Sequence, residues 1–333
     1  MTEGIWSGVR CTSSKIYRAL SAFVISAVFL TGCSSGLVMP FDADSGETNF
    51  NINTVGSSLS VKPFASDICV CDSNFEELTL AIDDSEAGGL FDATSRETVY
   101  AKNVHKQMHP ASLTKVMTAY LALKYGHLED TLTASSNVLI TESGAQLLGI
   151  KEGDRLTLEQ ALNALLLYSA NDAGVLIAEY LSGSVEKFAA VMNEEALKLG
   201  ATNTHFTNPH GLTDEEHYTT AYDLYLMFNA AMQFDEFRNI INTVEYKSEY
   251  KDRDGNPKKI EITTTNAYLK GDITAPDGIN VIGGKTGTTK AAKSCLILLS
   301  NADNEHTYVS VILGSTDHDS VYRDMTTLLT DIH

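Results

Sequence analysis

The order of helix-like and strand-like patterns along the chain constrains its fold more than any other feature. Apolar residues at helical spacing predict helices at Ser112–Tyr125, Leu158–Leu167, Ala173–Leu181, Val185–Leu199 and Tyr222–Met232, with a closing helix at Val321–Ile332. Strand patterns lie on both sides of this block, at Glu77–Ile82, Thr98–Ala101, Thr243–Tyr250, Lys259–Thr265, Ser294–Ser300 and Thr307–Leu313. Strands at both ends with helices between them predict an α/β mixed domain, in which helices flank one mixed sheet and a helical lobe is inserted.

A glycine pair and a short turn sequence punctuate the strand patterns. Gly88-Gly89 is predicted to be a turn between the first two strands, and Asp254-Gly255 a turn between the third and fourth. The last two strand patterns are almost wholly apolar, which is typical of strands at or near the centre of a sheet.

The first 32 residues are predicted to lie outside this domain. Arg10, Lys15 and Arg18 precede an uncharged apolar run, Ala19–Leu30. This run is shorter than the about 20 residues of a membrane-spanning helix, but it suits the core of a signal peptide. Leu30-Thr31-Gly32-Cys33 resembles a bacterial lipobox, which implies cleavage before Cys33 and lipid on its thiol. An ordinary cleaved signal and an uncleaved anchor are the alternatives.

Residues 33–66 are rich in Ser, Gly, Asn and Asp, which predicts a flexible linker before a folded domain at 67–333. Removing residues 1–32 takes away three basic residues and one acidic residue. The total of 24 Lys and Arg then becomes 21 and that of 43 Asp and Glu becomes 42, a net charge of −21. Such a balance argues against nucleic acid as a partner.

Three cysteines remain in the predicted domain, Cys69, Cys71 and Cys295. Cys69 and Cys71 lie two apart on a predicted strand, so their side chains would face the same way and be poorly placed to bridge each other. The histidines at 105, 109, 205, 210 and 217 include no pair at helical i, i+4 spacing with a third ligand. We therefore expect no metal site.

Three short motifs carry candidate chemistry: Ser112-Leu-Thr-Lys115, Ser169-Ala-Asn171 and Lys285-Thr-Gly287. In the first, residues three apart at a helix start place a hydroxyl beside an amine, which can act as a base if burial depresses its pKa. The second follows the apolar helix and lies in a predicted interhelical loop. The third leads into an apolar strand; on an exposed strand edge, its lysine and hydroxyl would suit the terminal carboxylate of an extended peptide. Each motif alone is weak.

Together and in this order, the motifs form the signature of penicillin-binding proteins and class A β-lactamases. The wider sequences His109–Lys115, Tyr168–Ala173, Asn208–Leu212 and Gly283–Gly287 resemble the low-molecular-mass D-alanyl-D-alanine carboxypeptidases, and the resemblance spans roughly residues 77–325. It implies a β-lactamase/transpeptidase-like fold with an antiparallel sheet. Larger family members often carry a second, β-rich domain after the catalytic one, which we expect this chain to lack.

The resemblance also implies a set of roles. Ser112 would be the nucleophile, Lys115 its base, and Ser169 a proton relay to the departing D-alanine. Substrate binding would involve Asn171, Lys285, Thr286, Gly287 and Thr288, with the backbone N–H groups of Ser112 and Thr288 forming an oxyanion hole. The implied substrate is a peptidoglycan stem peptide ending in D-Ala-D-Ala, and β-lactam antibiotics would be covalent inhibitors. The implied chemistry needs no metal or organic cofactor. The protein would be exported and held by lipid on Cys33 at the outer face of the cytoplasmic membrane.

Several alternatives share these motifs. A class A-like β-lactamase should carry a Glu-x-x-Leu-Asn element about 35–40 residues after the middle motif, where this chain reads Thr204-His-Phe-Thr-Asn208. A wall-peptide-binding lipoprotein without catalysis would be expected to have lost Ser112 or Lys115. Endopeptidase and transpeptidase activities differ only in the amide cleaved or in the acceptor, and the motifs do not separate them.

Overall fold

The computed structural model describes residues 51–54, 57–60, 65–74 and 86–332. The predicted signal, Cys33 and the predicted strand Glu77–Ile82 lie outside the described residues. The chain divides into two compact units, Met1–Pro63 and Phe64–His333. In the first unit, β1 (Asn51–Thr54) and β2 (Ser57–Ser60) pair as an antiparallel hairpin within the segment predicted to be a linker.

The second unit is built on a five-stranded sheet whose strands are β3 (Ala87–Asp92), β4 (Glu97–Lys102), β9 (Ile279–Thr289), β10 (Lys293–Ala302) and β11 (Thr307–Ser315). Their order is β4-β3-β11-β10-β9, and every pairing is antiparallel rather than mixed. The two near-continuous apolar strands, β10 and β11, are central as predicted. The motif strand β9 is at one edge.

A smaller antiparallel sheet, which the sequence patterns predict only in part, has the order β5-β6-β7-β8. Its strands are β5 (Thr131–Thr133), β6 (Arg155–Thr157), β7 (Glu245–Lys251) and β8 (Pro257–Thr263). The hairpin of β7 and β8 turns at Asp254-Gly255 as predicted, with Asp252 accepting backbone N–H groups across the turn.

The helices of the described residues are α1 (Lys115–Tyr125), α2 (Leu158–Leu166), α3 (Asn171–Ser182), α4 (Val185–Lys198), α5 (Ala221–Ala231), α6 (Asp235–Ile241), α7 (Ala267–Lys270) and α8 (His318–Thr330). Ser, Thr, Asn or Asp side chains cap most of their N-termini, and Thr157 and Gln160 form a capping box on α2. Helices α1 to α6 make up the predicted helical lobe. No helix in the described part of the chain is long and apolar enough to cross a membrane.

Both faces of the five-stranded sheet are packed. On β10, Ile297 and Leu299 belong to the core beneath the helical lobe, whereas Leu296 and Leu298 pack toward the C-terminal helix α8. This alternation follows from the opposite directions of successive side chains on a strand. The sheet therefore lies between two helical layers, and its edge strand β9 runs along the boundary with the lobe.

Two local predictions were wrong. Gly88-Gly89 is not a turn but the middle of β3, where Gly89 pairs with Val311 and Ala101. A Cβ at Gly89 would lie 2.6 Å from the ring of Phe91, so glycine here makes room for that ring over the strand. Cys69 and Cys71 do not lie on a strand. Their thiols and that of Cys295 are unbridged.

Candidate active site

Ser112 lies in a tight 3-10 turn, Ala111–Thr114, that leads directly into α1. Ala111 has a φ of 49°, a left-handed conformation that costs a non-glycine residue free energy and is kept only where neighbours hold it. The Thr114 hydroxyl donates to the Ala111 carbonyl at 2.8 Å. Ser112 therefore lies in a strained turn that the Thr114 hydrogen bond stabilises, and its side chain is partly exposed.

Lys115 is fully buried at the start of α1. Its Nζ donates to Asn171 Oδ1 at 2.7 Å and to the His210 carbonyl at 2.6 Å, and it lies 2.8 Å from Ser112 Oγ. Burial lowers the pKa of this amine well below its ordinary value, and the charge of Lys285 lowers it further while Asp172 opposes the shift. A depressed pKa and a hydroxyl within hydrogen-bond distance are the properties that a general base for Ser112 needs.

The middle motif links two helices. Ser169 lies between α2 and α3 with a φ of 66°, and Asn171 is the first residue of α3. The Asn171 backbone N–H donates to the Gln146 carbonyl at 2.8 Å, while its side chain accepts from Lys115. The left-handed turn at Ser169 thus lets two neighbouring polar side chains reach into one buried site.

Lys285 lies on the edge strand β9 and is also buried. Its Nζ donates to Ser169 Oγ at 3.0 Å and to the Thr286 carbonyl at 2.7 Å. Burial lowers the pKa of this amine to about 7. The Thr286 hydroxyl is 2.6 Å from the Thr265 hydroxyl. Thr288, two residues further along the strand, is exposed.

Gly287 is a point where β9 lies against the turn that carries Ser112. A Cβ at this position would lie 2.9 Å from the Ser112 backbone nitrogen and 3.1 Å from the Pro110 carbonyl. A side chain would therefore push the strand and the turn apart, so the glycine of the third motif is required by this contact. The three motifs thus converge on one site.

Two groups of this site were not predicted from the sequence. The first is the backbone carbonyl of His210, which faces Lys115 because Thr118 holds the neighbouring Pro209 carbonyl at 2.6 Å. The second is Asp172, whose buried carboxylate accepts the backbone N–H groups of Leu148, Gly149 and Ile150. Their positions were the only signals: Asp172 directly follows the middle motif, and His210 lies in the Asn208–Leu212 sequence.

Comparison with known proteins agrees with this geometry. The model of peptidase family S11, D-alanyl-D-alanine carboxypeptidase, matches residues 80–317. The chain belongs to this family. The resemblance given by the motifs is thereby confirmed, and so is the fold that it implies.

Relatives and solved structures support the assignment over most of the folded region. D-alanyl-D-alanine carboxypeptidase DacF of Bacillus subtilis is 31% identical over 236 residues, which are 70% of this chain and 58% of that protein. DacB2 of Mycobacterium tuberculosis is 31% identical over 225 residues, 67% of this chain and 72% of that protein. The crystal structure of the Streptomyces K15 DD-transpeptidase superposes with a TM-score of 0.69 at 26% identity, covering 75% of this chain and 97% of that one. The chain spans about three fifths of the length of the first curated family members that it matches.

Proposed function

We propose that the protein is a serine-type D-Ala-D-Ala carboxypeptidase, which removes the terminal D-alanine from peptidoglycan stem peptides through an acyl-enzyme on Ser112. The observation that carries this proposal is the 2.8 Å contact between the buried Lys115 amine and the Ser112 hydroxyl. Family membership supports the choice of substrate.

In the acylation step, neutral Lys115 takes the proton of Ser112 as Oγ bonds to the carbonyl carbon between the two D-alanines. The tetrahedral intermediate places its negative oxygen at the backbone N–H groups of Ser112 and Thr288. The C–N bond then breaks, and the proton reaches the leaving amine through Ser169, whose hydroxyl is 3.0 Å from Lys285 Nζ. Release of D-alanine leaves an ester on Ser112.

Substrate binding uses β9 and the start of α3. Because the Asn171 side-chain carbonyl is engaged by Lys115, its amide NH2 is the part that donates to a peptide carbonyl. Protonated Lys285 and the Thr286 hydroxyl hold the terminal carboxylate, and Gly287 lets this strand lie against the Ser112 turn. Because the terminal carboxylate is bound, the enzyme would cleave only the last peptide bond, as an exopeptidase does.

The rate at which water hydrolyses the penicilloyl-enzyme distinguishes a carboxypeptidase from a fast β-lactamase. Within residues 86–332, the hydrogen-bond partners of Lys115 are Ser112, Asn171 and the His210 carbonyl, and none is a carboxylate. Class A β-lactamases deacylate with the aid of a glutamate. We therefore expect a penicilloyl adduct on Ser112 to persist, which makes β-lactams covalent inhibitors.

Transfer of the acyl group to an amine is a second candidate. It is favoured by the similarity to the Streptomyces K15 DD-transpeptidase, of which this chain covers 97%. The same acyl-enzyme serves both reactions, and only the acceptor differs. Adding D-amino acids or glycine to the peptide assay measures how the acyl-enzyme partitions between water and amine.

We also propose that the protein is exported and anchored to a membrane by lipid. The basic start, the apolar run and the Leu30–Cys33 lipobox support removal of residues 1–32 and diacylglyceryl modification of Cys33. Two acyl chains anchor a protein stably to a bilayer. The catalytic domain would then act at the outer face of the cytoplasmic membrane, where stem peptides are accessible.

The test is intact mass during incubation of the purified protein with benzylpenicillin. We expect a lasting mass increase equal to one penicillin, absent from Ser112→Ala and present in Ser136→Ala, which removes an exposed surface serine outside the motifs. D-Alanine release from a D-Ala-D-Ala peptide should show the same pattern. Penicillin turnover without an adduct would support the β-lactamase alternative, and neither adduct nor turnover would support the non-catalytic one.

A further inference from the structure

The segment 204–219 packs around the turn that carries Ser112. An antiparallel bridge joins Met108 to Thr219 with backbone hydrogen bonds of 2.8 and 2.9 Å. One residue further on, the His109 ring donates from Nδ1 to the His217 carbonyl at 2.9 Å. Gly211 lies against the strained residue Ala111, and a Cβ there would be 1.8 Å from the Ala111 carbonyl oxygen.

The contacts of His217 assign its tautomer. The Thr207 backbone N–H donates to His217 Nδ1 at 3.1 Å, so Nδ1 is an acceptor and carries no proton. In a neutral ring the proton is then on Nε2, which lies 2.8 Å from Thr114 Oγ1. The Thr114 hydroxyl has one proton and donates it to the Ala111 carbonyl, so it must accept from His217. The contact at Nδ1 and the contact between Thr114 and Ala111 therefore lead to the same result: His217 Nε2–H donates to Thr114 Oγ1.

The surroundings of His217 keep this ring neutral. The side chain is buried, and its ring meets Phe206 edge to face at 5.5 Å. Burial lowers the pKa of His217 to about 4, while Asp214 opposes the shift and His109, His205 and Lys115 add to it. The Nε2–H tautomer is therefore the form present at neutral pH.

We propose that His217 is a positioning residue for the reaction of Ser112. Through Thr114 it holds the Ala111 carbonyl and keeps Ala111 in its left-handed conformation, so that the Ser112 hydroxyl points at Lys115. The inference rests on the proposed function, in which Ser112 is the nucleophile. It assigns to a histidine outside the three motifs an effect on the rate of acylation rather than on substrate binding.

Two substitutions test the contacts of the two ring nitrogens separately. In His217→Gln the side-chain NH2 reaches the place of Nε2 and keeps the donation to Thr114. In His217→Asn the shorter amide reaches only the place of Nδ1 and leaves Thr114 without its donor. The readouts for the full protein are the acylation rate constant with benzylpenicillin, and kcat and KM with a D-Ala-D-Ala peptide.

We expect His217→Asn to lower acylation and kcat about tenfold, with KM within about twofold of wild type, because one buried hydrogen bond is lost. His217→Gln should stay within about threefold of wild type. His205→Asn is the matched control, since His205 is on the same segment and contacts the Glu216 carbonyl but not the turn. Its acylation rate should be unchanged.

Equal acylation rates per folded molecule in His217→Asn and His217→Gln would overturn the proposal. If His217→Asn does not fold, Thr114→Val and Thr114→Ser make the same comparison, because only serine keeps the donation to Ala111. Equal rates in that pair would likewise overturn it. Failure of the wild-type protein to acylate would instead refute the proposed function, which distinguishes the two outcomes.

Discussion

Lys115 and Lys285 bring two primary amines into one buried site, and each is hydrogen bonded to a different serine. Lys115 Nζ is 2.8 Å from Ser112 Oγ, and Lys285 Nζ is 3.0 Å from Ser169 Oγ. Burial lowers the pKa of both amines, and the charge of Lys285 lowers that of Lys115 further. The arrangement therefore favours a neutral Lys115 next to a charged Lys285, which are the states that a base and a carboxylate-binding group require.

This pair predicts a pH dependence of kcat/KM. The pKa of Lys285 is about 7, so the free enzyme loses this charge as the pH rises through 7. For a peptide ending in a free carboxylate, kcat/KM should then decline above pH 7, by up to about tenfold per pH unit. The decline in kcat should come at higher pH, because a bound carboxylate stabilises the ammonium form. Initial rates from pH 5 to 10 measure both profiles.

A peptide whose terminal carboxyl is amidated provides the control for this profile. It has no carboxylate for Lys285 to hold, so its lower kcat/KM should lack the alkaline decline. The same decline with both peptides would show that another group titrates, and the carboxylate-binding role of Lys285 would then be wrong.

Gly287 gives the second prediction. Its Cβ position is 2.9 Å from the Ser112 nitrogen, so Gly287→Ala should push β9 away from the nucleophile turn and disturb the proposed oxyanion hole. We expect the acylation rate to fall by about 10² to 10³, the range seen on losing one oxyanion donor.

The matched substitution is Gly174→Ala inside α3, where a Cβ would be in ordinary contact, 3.4 Å from its nearest neighbours. Alanine is a better helix former than glycine by about 1 kcal/mol, so this variant should be as stable as wild type or more stable. Stopped-flow acylation of both variants is the measurement. Normal acylation of Gly287→Ala would refute the proposed closeness of the strand.

The positions of the three motifs could be read from the sequence because each coincides with a strong local signal. Ser112 lies just before a helix with regularly spaced apolar residues, Ser169 follows an apolar helix, and Lys285 precedes an apolar strand. The order of the motifs then limited the fold to the one that penicillin-binding proteins and class A β-lactamases share. Strands β10 and β11 and helices α1 to α5 lie within a few residues of their predicted bounds for the same reason.

What the sequence did not predict depends on contacts between distant segments. The His210 carbonyl and the His217 ring serve the Ser112 turn only because segment 204–219 folds over it, and a backbone carbonyl has no residue-type signal. A glycine pair is typical of a turn, but Gly88-Gly89 lies inside β3. Its place in β3 depends on the ring of Phe91, which a local pattern does not reveal.

Lipidation of Cys33 is the third prediction. If the lipobox is used, the protein made in its bacterial host should partition into the detergent phase of Triton X-114 and should lose residues 1–32. Cys33→Ser should enter the aqueous phase or retain its uncleaved leader, because the thiol that carries the lipid is gone. Cys11→Ser is the control, since Cys11 lies in the segment that is removed, and it should behave as wild type. Detergent partitioning of a Cys33→Ser protein that has lost residues 1–32 would contradict lipid attachment at this residue.

Asp172 gives the fourth prediction. Its buried carboxylate accepts three backbone N–H groups of one segment, from Leu148 at 3.0 Å, Gly149 at 2.8 Å and Ile150 at 2.9 Å, and a fourth from Ala173 at 3.0 Å. Asp172→Asn replaces one of the two acceptor oxygens by an NH2 group that faces backbone donors. The free energy of unfolding should fall by about 2 kcal/mol, the cost of leaving such buried donors unpaired. Urea denaturation measures this loss.

Local opening should accompany that loss of stability. Because the three N–H groups belong to one short segment beside Gln146, which accepts from the Asn171 backbone, their amide hydrogens should exchange faster in Asp172→Asn. Asp252→Asn is the matched variant, since Asp252 also accepts several N–H groups but does so in an exposed turn of the β7–β8 hairpin. It should leave exchange at residues 148–150 unchanged. If Asp172→Asn leaves both stability and exchange at these amides unchanged, the carboxylate does not hold this segment in place.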